Sequence, residues 1–510
     1  MHSGKDRSRL RGIKDCVKGQ ETCMDDITRI QEYFAQKAKA VPTHRFKDLY
    51  SLVWKRSFLE AALDRVLANR GSRSAGVDGT TASAFRDPKY RAKFVGDLSE
   101  ELKTRTFKPS PGRRVYIPKA NGKKRPLGIL TIKDRVVQMV LKMLLEPIFE
   151  SDFLDCSYGF RPGRRTMDCL MPIWRHVTST SKHYWAVEGD IKSYFDTINH
   201  SILVGLLKKR IADQEVLALI ETFLKAGVME GGLFQRTELG AQQGGILSPL
   251  LSNVYLHQFD LWWWKTYGSL SRYEKRKRRR QGLGQPILIR YADDWLLLWS
   301  GDKAGAEALK EEARTFLEQE LKLELSESKT LVTHVDDGYT FLGFDIRRYQ
   351  GTRGKPVVLI KPSQKSIDRL KSKVKALTDR STTCLPAWQL VKQLNPILMG
   401  WSAYYQYVNA STAFHKLDWW VLNRASRWAW KKHGKPPWRV VRAKYSQRDP
   451  KGRINFTCRD DDGKFMWVYR MADRPIRRYW VQWKRPDYAD GAIVTDAGDP
   501  DKTAWAERLS

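Results

Sequence analysis

The stretch Ile287 to Ser300 reads ILIRYADDWLLLWS, two apolar runs folded around Tyr291-Ala292-Asp293-Asp294. Short apolar runs meeting at a polar turn have the pattern of a β-hairpin. Such a turn normally carries Gly or Asn rather than paired acids. Two adjacent carboxylates among Trp, Leu and Ile repel each other, and apolar surroundings favour protonation of each. A divalent cation removes that conflict. Hard oxygen donors suit Mg²⁺, which typically takes one or two carboxylates together with waters and substrate phosphates. The plainer reading of a lone Asp-Asp is a solvated turn, so the rest of the chain has to decide.

Charge narrows the partners. The formal net charge is +34, far beyond what solubility requires, and 19 Trp and 20 Tyr accompany it. Basic side chains neutralise phosphates and aromatic faces stack bases, so nucleic acid is the first expected partner. A purely structural RNA binder has the same composition, and charge alone does not separate binder from enzyme. At 510 residues with 42% hydrophobic content, the chain has material for two to four folded domains. Cys16, Cys23, Cys156, Cys169, Cys384 and Cys458 include no C-x-x-C pair. Neither a zinc site nor a disulfide framework is indicated, and reduced, intracellular thiols are expected. The absence of a long apolar run or a secretory leader argues against membrane insertion and export.

From the N-terminus, residues 1–45 read as a peripheral extension, and apolar spacing from Phe46 to Leu67 predicts a helix. Asn69 to Gly79 is a loop rich in Gly and small polar residues that carries Arg70 and Arg73. It is either a plain connector or a basic loop for a phosphate backbone. Alternation on both sides of Asn121-Gly122 predicts a hairpin holding Arg113, Lys119 and Arg125 near one another. Three such cations can grip a triphosphate, or they can simply keep an exposed edge soluble. A helix follows from Asp134 to about Phe149. Then Ser157 to Thr166 places Arg161 and Arg164 among Gly, Pro and aromatics, suited to a nucleic-acid backbone or to capping the next helix.

A short strand, Trp185 to Val187, leads into Glu188-Gly189-Asp190, with Phe195 five residues beyond the aspartate. Asp190 is either the N-cap of a helix near Ile191 or a further metal ligand. With the hairpin pair it makes the minimum set for two ions about 3.5–4 Å apart, the arrangement of phosphoryl transfer. Helical patterning from His200 to Gly227 precedes a Gly-rich loop, Gly240 to Gly245, whose backbone can approach a flat group closely and whose Gln243 can hydrogen-bond it. Tyr273 to Gly282 is a nearly unbroken basic run, expected to be a disordered loop until phosphates bind it. Thr340 to Ile346 reads as a strand with Gly343 inside it, marking close backbone approach or a bulge. From Arg353 to Lys444, nineteen Lys/Arg face three acids, with Trp and Tyr interleaved. Helices are expected at Ser363–Leu377, Ala387–Asn395, Gly400–Tyr407 and Ala413–Trp430. Residues 445–486 read as short β or irregular structure, followed by an acidic tail.

In order, Asp190-x4-Phe195, Gln243-Gly244-x3-Ser248-Pro249, Tyr291-Ala292-Asp293-Asp294, Lys329 and Phe341-Leu342-Gly343 resemble the sequential motifs of reverse transcriptases. Gly76-Val77-Asp78-Gly79, Ile117-Pro118-Lys119, Arg125-Pro126-Leu127-Gly128-Ile129, Tyr158-Gly159-Phe160-Arg161-Pro162-Gly163 and Gly400-Trp401-x2-Tyr404-Tyr405 carry the likeness further. They resemble the group II intron reverse transcriptase/maturase family over roughly residues 46–440.

The resemblance implies an α+β right-hand polymerase fold, with fingers, an antiparallel-sheet palm and an α-helical thumb/maturase region. The expected division is an extension (1–45), fingers with an RNA-binding loop (46–184), palm (185–350), thumb/maturase (351–445), and a DNA-binding-like region with the acidic tail (446–510). It further implies that Asp190, Asp293 and Asp294 hold two Mg²⁺ ions, Mn²⁺ being a possible substitute, and that Lys329 protonates pyrophosphate. Arg113, Lys119 and Arg125 would hold the triphosphate of a dNTP, Phe195 would select against a 2′-hydroxyl, and Gln243 and Tyr291 would line the nucleotide pocket. Phe341, Leu342 and Gly343 would form the primer grip, and Arg70, Arg73, Arg161, Arg164, Arg424, Arg427, Lys431 and Lys432 would contact RNA.

Implied partners are group II intron RNA, an RNA template with a DNA primer, and target DNA, in a bacterial cytoplasm. Lacking the C-x-x-C pairs of a terminal HNH endonuclease, the chain is not expected to cut a second strand. A free-standing reverse transcriptase released from its intron, and an RNA chaperone without polymerase activity, are the alternatives.

Overall fold

The structure, a computed structural model, describes residues 20–118, 124–178, 182–230, 233–235, 240, 244–351 and 354–477. Residues 1–19 of the expected peripheral extension, Lys119, the Asn121-Gly122 turn, Gln243 and the tail after residue 477 lie outside the described residues, whereas residues 20–40 are not peripheral but a helix with Ile27, Ile30 and Phe34 buried.

The chain opens with α1 (Gln20–Ala40), α2 (Tyr50–Val53), α3 (Arg56–Ala68) and α4 (Pro88–Lys103), then the hairpin β1 (Gly112–Pro118) and β2 (Lys124–Ile129). After these come α5 (Ile132–Glu150), α6 (Thr166–Thr178), β3 (Trp185–Gly189), α7 (Tyr194–Thr197), α8 (His200–Lys208) and α9 (Gln214–Lys225). Strands β4 (Val228–Glu230) and β5 (Leu233–Gln235) precede α10 (Ser248–Trp263), α11 (Arg272–Arg280), the hairpin β6 (Pro286–Tyr291) and β7 (Asp294–Trp299), and α12 (Lys303–Leu321). Four strands follow, β8 (Leu331–His334), β9 (Tyr339–Phe341), β10 (Phe344–Gln350) and β11 (Pro356–Pro362). The helices α13 (Gln364–Leu377), α14 (Ala387–Tyr405), α15 (Ser411–Lys432) and α16 (Trp438–Tyr445) lead to β12 (Ser446–Arg448), β13 (Ile454–Arg459) and β14 (Phe465–Trp467).

Of the described residues, 20–165 and 187–332 form one compact unit, and 166–186 with 333–477 form a second. In the first, α5 is buried along almost its whole length. Its N-terminus is capped by Thr131, whose hydroxyl accepts from the Asp134 amide at 3.1 Å. A helix with apolar residues on every side has to be wrapped. The α1 and α3 helices pack on it, and the Gln31 amide donates 2.8 Å to the Met143 carbonyl. The strand order β6-β7-β3-β8 sets the hairpin beside the strand that ends at Asp190. A second sheet, β2-β1-β4-β5, carries the fingers hairpin.

In the second unit, antiparallel β11-β10-β9 precedes a bundle of α13 to α16, and antiparallel β12-β13-β14 closes the described chain. Helix α6, expected with the fingers, groups instead with this unit and packs on β11.

Several boundaries differ from expectation for local reasons. The predicted 46–67 helix breaks at Trp54–Lys55 into α2 and α3. The stretch from 200 to 227 splits where Asp213 caps α9, accepting from the Glu215 and Val216 amides. Ala387 to Tyr405 is one helix that tolerates an internal Pro396. Gly343 sits in a tight turn between β9 and β10, at φ +82°, rather than inside a strand.

The basic run is folded, contrary to the expectation of a disordered loop: α11 has seven Lys/Arg in nine residues. Ser271 accepts from the Glu274 amide at 3.2 Å while the Glu274 carboxylate accepts from Ser271 at 2.7 Å. This capping box satisfies two end donors, and the cations cluster at the C-terminal end, where the helix dipole favours them. Arg278 turns inward, lying 5.5 Å above the Tyr267 ring.

Gly189 explains the close packing of the central sheet, because a Cβ there would fall 1.9 Å from the buried Trp295 indole. Gly189→Ala is expected to destabilise the protein by at least about 1–3 kcal/mol through overpacking, read as a lower urea midpoint.

Candidate active site

Register pairing of Tyr291 with Asp294 leaves Ala292 and Asp293 as a two-residue turn. Ala292 has φ +57°, a left-handed conformation that costs a residue with a Cβ about 1–2 kcal/mol. What holds it there is Arg290, a residue with no solvent exposure in the middle of the apolar strand β6. Its guanidinium donates to the Ala292 carbonyl at 3.0 Å, to Asn253 Oδ1 at 3.1 Å, and to both Asp260 oxygens at 2.7 and 2.5 Å. Burial, the largest single influence, pushes the Asp260 pKa up, but the charge and hydrogen bonds of Arg290, together with those of His257, outweigh it and hold the carboxyl below its usual range.

Behind the turn lies the Ser157-to-Gly163 loop. Arg290 exchanges backbone bonds with it, its amide donating to Cys156 and its carbonyl accepting from Tyr158, each at 2.8 Å. A Cβ on Gly159 would come 2.4 Å from the Ala292 nitrogen, and the Asn253 side chain donates 2.8 Å to the Gly159 carbonyl.

Arg161 and Arg164, expected on RNA, are internal instead. The Arg161 side chain is 2% exposed, paired with Glu150 at 2.7 Å, and donates to the Ser157 carbonyl at 2.8 Å. Arg164, also 2% exposed, donates 2.9 Å to the same carbonyl and pairs with Asp155. A guanidinium answered inside the protein is not available to a phosphate, so both serve the loop that backs the turn.

Asp190 lies at the end of β3 and is not a helix cap. Its carbonyl accepts from Ser326, and Ile191 bridges to Leu325. The Asp190 carboxylate is about one-third exposed and meets the Lys329 ammonium at 2.8 Å. Because Gly189 lies under Trp295, whose neighbour is Asp294, the acid-bearing ends of β3 and of the hairpin meet at one edge of the sheet. Asp293 is close enough to Tyr194 to add to the effect of burial, which pushes that phenol's pKa up.

Among the described residues, no three His, Cys, Asp or Glu side chains form a ready-made metal cage. Mg²⁺ does not need one, since one or two carboxylates with waters and substrate oxygens suffice. Hard carboxylate donors at a partly exposed sheet edge, one already drawing a cation, fit such an ion.

Other expected residues fall out as follows. Phe195 and Tyr291 are buried, at 8% and 4% exposure. The fingers hairpin sets Arg125 opposite Ile117, four residues and roughly 13 Å along β1 from Arg113. Arg113 donates to the Ala75 carbonyl at 2.8 Å. It thereby pins the loop carrying exposed Arg70 and Arg73. Arg135 assists by donating to Gly71 and Ser74.

Gly244, next to Gln243, approaches the fingers hairpin so closely that a Cβ would lie 2.6 Å from the Gly128 carbonyl. In the second unit, Phe341 and Leu342 are buried beside Gly343. Arg427 and Lys431 are exposed on α15, whereas Arg424 and Lys432 donate to Thr378 and to the Thr383 and Leu385 carbonyls.

Sequence reasoning passed over Arg290, Asp260 and Asn253. The available signal was a single arginine inside ILIRY, since a charge in an apolar strand requires a buried partner.

A sheet that presents an aspartate-bearing strand end beside an Asp-Asp hairpin defines a reverse transcriptase. The comparisons agree. The family model described as reverse transcriptase (RNA-dependent DNA polymerase) matches residues 117–346, and that of the group II intron maturase-specific domain matches 367–446.

Protein YkfC of Escherichia coli K12 is 37% identical over 360 residues, covering 67% of this chain and 93% of that protein. The group II intron-encoded protein LtrA of Lactococcus lactis subsp. cremoris is 34% identical over 354 residues, 60% of this chain and 58% of LtrA. Nuclear intron maturase 2 of Arabidopsis thaliana is 25% identical over 44% of this chain and 40% of its own length. The chain thus spans little more than half of LtrA. It belongs to the group II intron reverse transcriptase/maturase family.

Asp260→Asn would leave the Arg290 charge buried and unanswered. The expected cost is about 3–5 kcal/mol, read by guanidinium denaturation. Asp155→Asn, whose carboxylate is 63% exposed, should cost under about 1 kcal/mol.

Proposed function

We propose that this protein binds group II intron RNA, assists its splicing and copies it into DNA at a target site, acting in a bacterial cytoplasm. Support comes above all from the pairing of β7 with β3, which sets the strand that ends at Asp190 beside the hairpin bearing Asp293 and Asp294.

These three carboxylates would hold Mg²⁺, with Mn²⁺ as a substitute. The ions would supply Lewis acidity to the attacking hydroxyl and the leaving phosphate oxygen. The chain's own residues do the remaining work. Lys329, held at Asp190, carries the proton for departing pyrophosphate. With Arg113 committed to Ala75, the triphosphate falls to Lys119 and Arg125. Phe195 forms the floor under the incoming sugar, and Gln243 and Tyr291 shape the base-pair pocket. Phe341, Leu342 and Gly343 hold the primer strand.

For the RNA, exposed Arg70 and Arg73 on the pinned loop, and Arg427 and Lys431 on α15, supply phosphate contacts. The excess of nineteen cations over three acids between residues 353 and 444 supports the same surface.

Asp293→Asn is expected to lower cDNA synthesis on a primed RNA template by on the order of 10²-fold or more, with intron RNA affinity retained. Undiminished primer extension would overturn the assignment. If binding proceeds by counterion release, RNA affinity should fall by roughly 10³-fold between about 50 and 200 mM salt. Filter binding across that range checks it.

A further inference from the structure

The Gly400-Trp401-x2-Tyr404-Tyr405 motif lies in the segment matched by the maturase-specific model, yet its polar groups point to a turn of the polymerase segment. Tyr404 donates its hydroxyl to the Leu342 carbonyl at 2.9 Å, and the Tyr405 hydroxyl is 3.1 Å from the Gly343 carbonyl. These carbonyls belong to the two consecutive left-handed residues of the β9–β10 turn, at φ +52° and +82°. A left-handed leucine is unfavourable and persists only where its surroundings over-determine it.

Beneath the turn, fully buried Phe344 stacks on Tyr404 with ring centroids 5.1 Å apart and meets Tyr405 edge-on at the same distance. The Gly343 carbonyl takes a second bond from the Ser363 amide at 2.9 Å, so both of its lone pairs are used.

Tyr405 has one hydroxyl proton and two close oxygens, Gly343 O and Ser366 Oγ, the latter at 2.6 Å. Ser366 Oγ also accepts from the Trp401 indole N–H at 3.2 Å. Tyr405 donates towards both the Gly343 carbonyl and Ser366 Oγ, so its one proton is shared between them, and Ser366 Oγ accepts from Tyr405 and from Trp401. These two contacts hold the hydroxyl of Tyr405, a residue 3% exposed, beside the turn.

We infer that Tyr404 and Tyr405 are positioning residues for DNA synthesis: through the Leu342 and Gly343 carbonyls they hold the turn that grips the 3′ end of the DNA primer. This rests on the primer-grip reading of Phe341 to Gly343 given above. Within that thumb/maturase segment, the two tyrosines would act on the primer turn, separately from RNA contacts made by exposed cations on α15.

The test uses the full-length chain with a DNA primer annealed to an RNA template. Tyr404→Phe and Tyr405→Phe keep the rings and remove only the hydroxyls. Each is expected to raise KM for primer–template by about 3- to 10-fold, the worth of one hydrogen bond, with shorter products per binding event. Turnover at saturating primer, thermal midpoint and intron RNA affinity should stay within about 2-fold or a few degrees. Ser366→Ala, which removes the second acceptor of the Tyr405 hydroxyl without touching either tyrosine, should give a smaller rise, and Ser366→Thr should restore the parent value.

Gly343→Ala separates the two readings, since its Cβ would strain a left-handed position and meet the Tyr405 hydroxyl at 3.1 Å. If Gly343→Ala leaves primer KM unchanged, the grip reading fails and the clamp with it. If Gly343→Ala raises KM while both phenylalanine variants match the parent, the clamp alone is wrong. A fall in thermal midpoint and RNA affinity with no selective change in primer KM would show a merely structural role and overturn the proposal.

Discussion

An arginine without access to water is tolerable only where its charge and its five N–H groups are answered by the protein. Arg290 meets that condition through Asp260, Asn253 and the Ala292 carbonyl. The last of these acceptors matters most for function, because it ties the charge network to the turn bearing Asp293. The buried pair is not the most stable way to fill that space, since apolar side chains of similar volume often do as well or better. What it provides is a rigid, directional hold on one peptide group.

The same device recurs in the second compact unit. Ala292 and Leu342 are both non-glycine residues in left-handed conformation at hairpin turns, and at each the strained residue's carbonyl is grasped by a side chain from outside the hairpin or from its flank. In one case the donor is a guanidinium and in the other a phenol. Strain of this kind is unfavourable locally and is offset by surroundings that allow only one arrangement. Both turns carry residues that the proposed chemistry needs to keep still.

Much of this was legible in the chain. The hairpin at Tyr291–Asp294 and the buried α5 helix follow from periodicity, because their apolar spacing matches how they are buried. Long-range pairing was not legible. Nothing local in Asp190 specifies Lys329 as its partner 139 residues away, and nothing local in Arg161 tells a phosphate ligand from the partner of Glu150. The likeness to a family supplied the order of the motifs but not which arginines face inward.

Gly343 was misplaced because one glycine between apolar residues fits a strand or a turn equally well until the partner strand is known. The α11 helix was missed for a different reason. Charge repulsion was weighed over nine residues, while the end groups that decide a short helix sit at Ser271 and Glu274.

That capped helix has a consequence in dilute buffer. With seven cations in nine residues, the repulsion that the Ser271–Glu274 cap holds against depends on the surrounding anions, since neighbouring ammonium and guanidinium groups lie within one Debye length of each other. Desalting should fray it from the arginine-rich end, and a polyanion lying along it should wind it tight. The stretch is therefore a built-in electrometer, its helicity registering the local density of negative charge.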